Sequence, residues 1–279
     1  TSDPKQIEEA IRLWHKYPQV IGFKMFAGHS VGDLGIIERK KQRQVFEVLT
    51  KNNFQGVLMV HCEKEDYITK KFDPNNPISH CLNRPAIAEI ASVSDMLGDA
   101  LESEYKGRIH IAHVSCPESI EMKLRHLLKE KISAGIGPQH LVMSNGNMRN
   151  LGGIYRKKNP PLRDSERVEE MKKHLVRGDI DIYESDHAPH AKKEKENPPY
   201  LSGFPQLPIF PLFIVWLKNI MNNNQIKKLT FERTKEIFAP KLDNVESRKD
   251  ISLNNLEELI KKVPELRKEY EYDAWEGIL

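Results

Sequence analysis

The sequence predicts an α/β fold in which parallel β-strands alternate with α-helices, and two observations lead to this prediction. Short apolar segments of strand length recur along the chain, and longer segments with the apolar period of a helix lie between them. Alternation of this kind is typical of β-α units, whose helical crossovers keep the strands parallel. With 279 residues, the chain is long enough for one large domain or two small ones.

Five strands are predicted, each beside a helical segment. In chain order they are VIGFKMF, GVLMVH, GRIHIAHVS, ISAGIG and DIDIYESD. The helical segments carry the expected terminal signals. Pro85 and Pro117 lie near first turns, Ser165 is a predicted N-cap followed by Glu169, and Gly178 is a predicted stop.

The order of these elements predicts a (β/α)8 barrel of the TIM type, which usually takes about 250 residues and eight strands. The sequence opens with the loop-to-helix segment TSDPKQIEEA, and five strands fall short of eight. We therefore expect a barrel that is incomplete at its N-terminus. Residues 1–245 are predicted to form the partial barrel, and residues 246–279 a charged helical tail.

The composition excludes several classes of protein. The net charge is +3 and no basic stretch is interleaved with aromatic residues, so nucleic-acid binding is not expected. No apolar run reaches the roughly 18–20 residues of a membrane span, and no signal segment opens the chain. Cys62, Cys81 and Cys116 form no CxxC pair, which favours a reduced, cytoplasmic setting and buried, inert thiols.

Ionisable side chains lie at or near the ends of four of the five predicted strands. Lys24 is in the first strand, His61 ends the second, His113 ends the third, and Asp186 ends the fifth. Each has an ordinary structural explanation on its own: the lysine could reach solvent, the aspartate could cap a helix, and a lone histidine is more often a hydrogen-bonded structural residue. In a parallel barrel, however, these strand ends form one rim, where active sites lie. Imidazoles with a carboxylate there predict a site for Zn²⁺ or a similar divalent ion.

The expected chemistry is hydrolysis. A bound divalent ion lowers the pKa of water to about 7, and a pair of ions can also polarise a carbonyl. A carboxylate such as that of Asp186 can then pass a proton to a leaving amine.

The sequence resembles the cyclic amidohydrolases, and among them the dihydroorotase family most closely. Six segments in the family's order carry the resemblance: GFKMFAGHSVGDL (22–34), VHCE (60–63), IHIAHVSCPESIE (109–121), GPQHL (137–141), KKNPPLR (157–163) and DHAPH (186–190). The likeness runs from about residue 5 to about residue 240.

The resemblance implies a role for each matching residue. Lys24 corresponds to the lysine that becomes carboxylated and bridges two zinc ions. His61 and His113 correspond to ligands of the second ion. Asp186 corresponds to the remaining ligand and to the general acid/base.

The resemblance also implies a small-molecule substrate, because dihydroorotases interconvert N-carbamoyl-L-aspartate and dihydroorotate in pyrimidine biosynthesis. His190 corresponds to a histidine that contacts the substrate carboxylate, and Asn159 to an asparagine that recognises the substrate. Arg163 is expected to be structural. Hydantoinases and dihydropyrimidinases usually read DHC where this chain reads DHAPH, whereas allantoinases share more of the pattern and stay an alternative.

The chain departs from the family pattern, and the asparagine-bearing segment and the small β-sandwich of the family are among the missing parts. The His-x-His pair of the family's first strand and the arginine after it are absent, since His110 lies in a different strand. Gln139 stands where the family has a histidine, which in that pattern is not a metal ligand.

Two explanations follow for the missing motif. The chain is either a fragment of a longer enzyme or a non-catalytic scaffold, as some dihydroorotase homologues are for aspartate transcarbamoylase. The retention of Lys24, His61, His113 and Asp186 favours the fragment. A homodimer and an association with aspartate transcarbamoylase both stay open.

Overall fold

The computed structural model describes residues 1–30, 32, 34–69, 71–239 and 255–279. Within them a five-stranded parallel sheet has its strands in chain order. The strands are β1 Gly22–Ala27, β2 Val57–Cys62, β3 Arg108–Ile111, β4 Ile132–Ile136 and β5 Ile182–Tyr183. All five predicted strands are therefore present, and each pairs with the next along the chain.

Helical segments lie before the first strand, between successive strands and after the last one. They are α1 Pro4–Lys16, α2 Arg39–Lys51, α3 Ser79–Asn83, α4 Ala86–Glu102, α5 Pro117–Arg125, α6 Gln139–Val142, α7 Ser165–Arg177, α8 Lys192–Glu196, α9 Phe210–Lys218, α10 Asn223–Lys227, α11 Arg233–Phe238 and α12 Leu256–Lys268. A π-helical turn, Lys228–Glu232, joins α10 to α11.

The helix ends confirm two of the predicted signals and correct a third. Pro117 opens α5, and Gly178 ends α7 with a φ of +82°. The predicted N-cap Ser165 was wrong. Asp164 is the N-cap of α7, because its carboxylate accepts the backbone N–H of Arg167 at 2.9 Å. Ser165 is instead the first helical residue.

The two faces of the sheet differ in character. Met25 and Ala27 of β1 are buried in a core shared with helices α1, α2, α4 and α7. Residues paired across parallel strands point to the same face. On the opposite face, Phe26 is therefore level with His61, and His110 is level with Ser133. Polar side chains are thus gathered on the face that would line a barrel.

Within the described part of the chain, β1 and β5 are the two edges of an open sheet. Lys24, on edge strand β1, is exposed. The open parallel sheet agrees with the prediction of a barrel that is incomplete.

The C-terminal segment packs onto the rest of the structure. Leu256, Tyr272 and Trp275 are buried in the same core as the sheet, and the indole N–H of Trp275 donates to Pro205 O at 2.9 Å. The predicted boundary at residue 245 lies outside the described residues, so the division at 245 stays a prediction. No helix in the described ranges has the length and apolar character needed to cross a membrane.

Candidate active site

Two buried imidazoles meet at the carboxyl ends of β2 and β3. Nδ1 of His61 lies 3.1 Å from Nε2 of His113, and the two rings are inclined at 71°. With metal–nitrogen bonds of about 2.0–2.1 Å and tetrahedral angles, two histidine ligands of one zinc ion lie about 3.3 Å apart. The pair therefore fits two ligands of one ion.

A buried carboxylate lies behind His61. Oε2 of Glu63 is 3.2 Å from Nε2 of His61. Arg84 donates to both oxygens of Glu63, at 3.1 and 2.6 Å. Burial alone would raise the pKa of Glu63, but Arg84 and His61 outweigh it and hold that pKa below its usual range. The carboxylate of Glu63 lies beside Nε2 of His61, so the other ring nitrogen, Nδ1, is directed at His113. Carboxylates orient metal-binding histidines in the same way.

The pKa of His113 is lowered well below its ordinary value. Burial is the largest cause, and the nearby charges of His61, Lys24 and Lys158 lower it further. His113 is therefore neutral at physiological pH, which is the form that binds metal ions.

The backbone is strained at two of the predicted site residues. His113 has a φ of +40° and Asp186 a φ of +43°, in the left-handed region that L-residues with side chains rarely adopt. Strain of about 1–3 kcal/mol at such positions clusters at functional sites. Asn53 and Glu104 also have positive φ, but they follow the ends of helices α2 and α4, where this conformation is usual.

Lys24 lies beside the imidazole pair. Its Nζ is 4.9 Å from the centre of the Phe26 ring, and that ring is 5.7 Å from the ring of His61. The charge of Lys24 contributes to the lowered pKa of His113. Lys24 Nζ and the ring of His61 therefore both lie near the ring of Phe26.

Asp186 is held by a lysine that sequence reasoning did not select. Nζ of Lys158 lies 2.9 Å from Oδ2 of Asp186 and donates to its backbone carbonyl, also at 2.9 Å. Lys158 is buried, whereas the carboxylate of Asp186 is 28% exposed. Burial lowers the pKa of Lys158, although Asp186 opposes this shift. The signal was the segment KKNPPLR, but both of its lysines are buried and the sequence cannot show which of them reaches Asp186.

Of the four expected metal ligands, only His61 and His113 are in contact with each other. Asp186 pairs instead with Lys158. In the described ranges, no three His, Cys, Asp or Glu side chains are arranged to hold a metal ion. The two imidazoles fit two ligands of one metal ion, whereas the carboxylate of Asp186 is engaged by Lys158.

The two expected substrate-binding residues differ in whether their polar atoms already have hydrogen-bond partners. Asn159 is buried, and its Nδ2 is 3.5 Å from Ser30 O. Its Oδ1 has no hydrogen-bond partner, so it could accept an N–H group of a bound molecule. His190 is engaged, with Nε2 3.1 Å from Ser202 O.

The remaining candidates have structural contacts. Nε of Arg163 donates to Ser115 Oγ at 2.9 Å, and its Nη1 donates to Arg84 O at 2.7 Å, as expected of a structural residue. The three cysteines Cys62, Cys81 and Cys116 are buried and unpaired, and burial raises the pKa of each thiol. They are therefore thiols rather than reactive thiolates at neutral pH.

Sequence reasoning missed two further residues near the site. His140 of the segment GPQHL is buried without a hydrogen-bond partner, and burial lowers its pKa to about 3. Glu184 accepts the backbone N–H of His113. Glu184 precedes Asp186 by two residues in a segment read only as a strand, so nothing in the sequence marked it.

Comparison with known proteins agrees with the resemblance. The chain is 32% identical over 192 residues to a dihydroorotase of Methanothermobacter thermautotrophicus, covering 64% of this chain and 42% of that protein. It is 35% identical over 144 residues to a dihydroorotase of Staphylococcus epidermidis, covering 50% of this chain and 33% of that protein. The chain is similar in sequence to the dihydroorotases. It spans less than half the length of these relatives, and no protein-family profile matches it.

The fold also has a close counterpart. A crystal structure of a D-hydantoinase superposes on 84% of this chain with a TM-score of 0.72, at 20% sequence identity and covering 54% of that protein. This likeness confirms the predicted fold class.

Proposed function

We propose that the chain is the part of a metal-dependent cyclic amide hydrolase that carries the second half of its active site. The reaction is the interconversion of N-carbamoyl-L-aspartate and dihydroorotate. The observation that carries the proposal is the buried His61–His113 pair, with ring nitrogens 3.1 Å apart at the carboxyl ends of β2 and β3. The similarity to dihydroorotases supports the same reaction.

Four residues would hold the metal ions. His61 and His113 supply imidazole nitrogens, and Asp186 supplies a carboxylate. Lys24, once carboxylated, would change from a cation into an anion with two oxygen ligands able to bridge two ions. Zinc or a similar divalent ion, when bound, would activate water at neutral pH and polarise the scissile carbonyl.

Asp186 moves the proton in this scheme. Its carboxylate accepts a proton as water attacks the ring carbonyl and delivers it to the departing ring nitrogen. Lys158 fixes the carboxylate through the ammonium contact at 2.9 Å and the bond to Asp186 O. Asn159 Oδ1 is free to accept an N–H group of the ring. His190 is the proposed partner of the substrate carboxylate.

Replacement of Asp186 tests this proposal. Asp186→Asn keeps the shape of the side chain but cannot carry the proton, so kcat for dihydroorotate hydrolysis should fall about 10²–10⁴-fold when both proteins are assayed with the residues encoded upstream of Thr1 restored. Circular dichroism should show that the fold is kept, and the exposed-face variant Glu121→Gln should have the activity of the unaltered chain. Full turnover by Asp186→Asn would refute the assignment. Faster hydrolysis of allantoin than of dihydroorotate would make the chain an allantoinase.

A non-catalytic scaffold is the second candidate. It is favoured by the pairing of Asp186 with Lys158 and by the absence of a three-ligand cluster in the described residues. A scaffold should take up no zinc and show no turnover, even when residues encoded upstream of Thr1 are restored. It should co-elute with aspartate transcarbamoylase in gel filtration, whereas a free-standing cytoplasmic enzyme or homodimer should elute alone.

A further inference from the structure

Two strands and the segment after β5 contribute polar side chains to a hydrogen-bonded chain beneath the candidate site. Ser133 Oγ of β4 lies 2.8 Å from Nδ1 of His110 on β3. Nε2 of His110 lies 3.0 Å from Oε1 of Glu184, which follows β5. The other oxygen of Glu184, Oε2, accepts the backbone N–H of His113. This chain therefore ends on the backbone of a proposed metal ligand.

The sheet has space for Glu184 because β4 carries a glycine beside it. A Cβ atom at Gly135 would overlap the carboxyl group of Glu184. His110 and Ser133 are buried, and the side chain of Glu184 is 13% exposed. The carboxylate is thus held from two sides, by the imidazole of His110 and by the amide of His113.

The amide that Glu184 binds belongs to the residue with strained backbone, since His113 has a φ of +40°. A hydrogen bond from an amide to an ionised carboxylate is about twice as strong as one between neutral groups. It can therefore offset part of the strain at His113. The backbone conformation of His113 in turn sets where its ring lies relative to His61.

We infer that Glu184 is a positioning residue, which fixes the backbone of His113 so that Nε2 is directed at the metal-binding position beside His61. This inference rests on the proposed role of His113 as a metal ligand. Outer carboxylates of this kind typically change metal affinity by about 10–100-fold when removed.

Asp181 provides a matched control at the other end of the same strand segment. Its carboxylate accepts the backbone N–H of Ala134 at 2.8 Å and pairs with Lys123. Asp181 thus resembles Glu184 in accepting a backbone N–H and in pairing with a cationic or imidazole side chain. It contacts neither His61 nor His113 in these bonds, so it stabilises the sheet without touching the proposed ligands.

The experiment compares Co²⁺ and Zn²⁺ binding by the unaltered 279-residue chain and four variants. Glu184→Ala should weaken Co²⁺ binding about 10–100-fold and change its visible absorption spectrum. Glu184→Gln should lose less affinity, because its amide oxygen can still accept the N–H of His113. Gly135→Ala should reproduce the loss with the glutamate intact, since the added methyl group displaces the carboxylate. Asp181→Ala should lower the melting temperature and leave the affinity unchanged.

A second readout needs no metal ion. The amide proton resonance of His113 should lie downfield in the unaltered chain and in Glu184→Gln, and should move upfield in Glu184→Ala.

Two results would overturn the positioning role: unchanged affinity in Glu184→Ala, or an equal loss in Asp181→Ala. No uptake of Co²⁺ or Zn²⁺ by the unaltered chain would instead overturn the proposed function. The His113 resonance would then decide separately whether Glu184 holds that amide, and an unmoved resonance in Glu184→Ala would show that it does not.

Discussion

A histidine binds a metal ion through a ring nitrogen that carries no proton, and burial secures this state at His113. Its pKa lies well below the ordinary value because of burial and the neighbouring charges of His61 and Lys24. Glu63 fixes the other side of His61. The imidazole pair is thus set up by its surroundings before any ion binds.

Removal of one imidazole should break this pair. His113→Ala leaves His61 without its partner, so bound zinc should fall to less than about a tenth of that of the unaltered chain, since loss of even an outer-sphere partner costs about 10–100-fold in affinity. Elemental analysis after dialysis measures the change. His126→Ala, which removes an imidazole from the segment after α5, is the control and should retain its zinc. Equal zinc in the His113 and His126 variants would exclude the pair as the binding site.

At the scale of elements, strands were more predictable than their ends. Apolar runs identified all five strands because burial in a parallel sheet requires continuous apolar sequence. β5 is reduced to Ile182–Tyr183, however, and the acidic residues on either side of it bind Ala134, His110 and Lys158. The N-cap of α7 was missed because Asp164 and Ser165 are adjacent and both suit the position. The choice between them depends on the path of the preceding loop.

Two glycine substitutions, one at the end of α7 and one inside α4, should change the stability of the fold in opposite directions. Gly178 has a φ of +82° and open space where a Cβ would lie, so Gly178→Ala adds only backbone strain, about 1–2 kcal/mol. Gly98, inside α4, has the same open space in a helical conformation, so Gly98→Ala should stabilise by about 0.5–1 kcal/mol. Thermal denaturation should therefore show a lower melting temperature for the first variant and a higher one for the second. Equal shifts would mean that the conformation of Gly178 does not terminate the helix.

At the scale of the whole molecule, the sequence predicted the α/β class, the five strands of the described sheet and the meeting of His61 with His113 at adjacent strand ends. It could not predict the partners of the site residues. The pairing of Lys158 with Asp186 joins residues 28 positions apart, and the hydrogen bond from the His113 N–H to Glu184 joins residues 71 positions apart. Only the tertiary fold brings these residues together. Local pattern carries no information on such contacts.

The buried histidines predict acid sensitivity of the entire fold. Burial lowers the pKa of His140 to about 3, below the ordinary value near 6.5. The contribution of His140 to stability is thus complete above pH 6.5 and is lost as the pH falls toward 3, by at most about 1.4 kcal/mol per pH unit. Urea unfolding between pH 6.5 and 4.5 should therefore show a smaller decline in the free energy of unfolding for His140→Leu than for the unaltered chain. His15→Leu, at an exposed position on α1, should not change the slope. A His140→Leu slope equal to that of the unaltered chain would mean that His140 is accessible to protons in the folded state.

The position of zinc in crystals of the chain, measured by anomalous diffraction at the zinc edge, tests the account most directly. We predict a peak about 2.0–2.1 Å from both Nδ1 of His61 and Nε2 of His113, with Lys24 and Asp186 beside it. Zinc bound elsewhere, with these two nitrogens still in contact with each other, would contradict the assignment of the site.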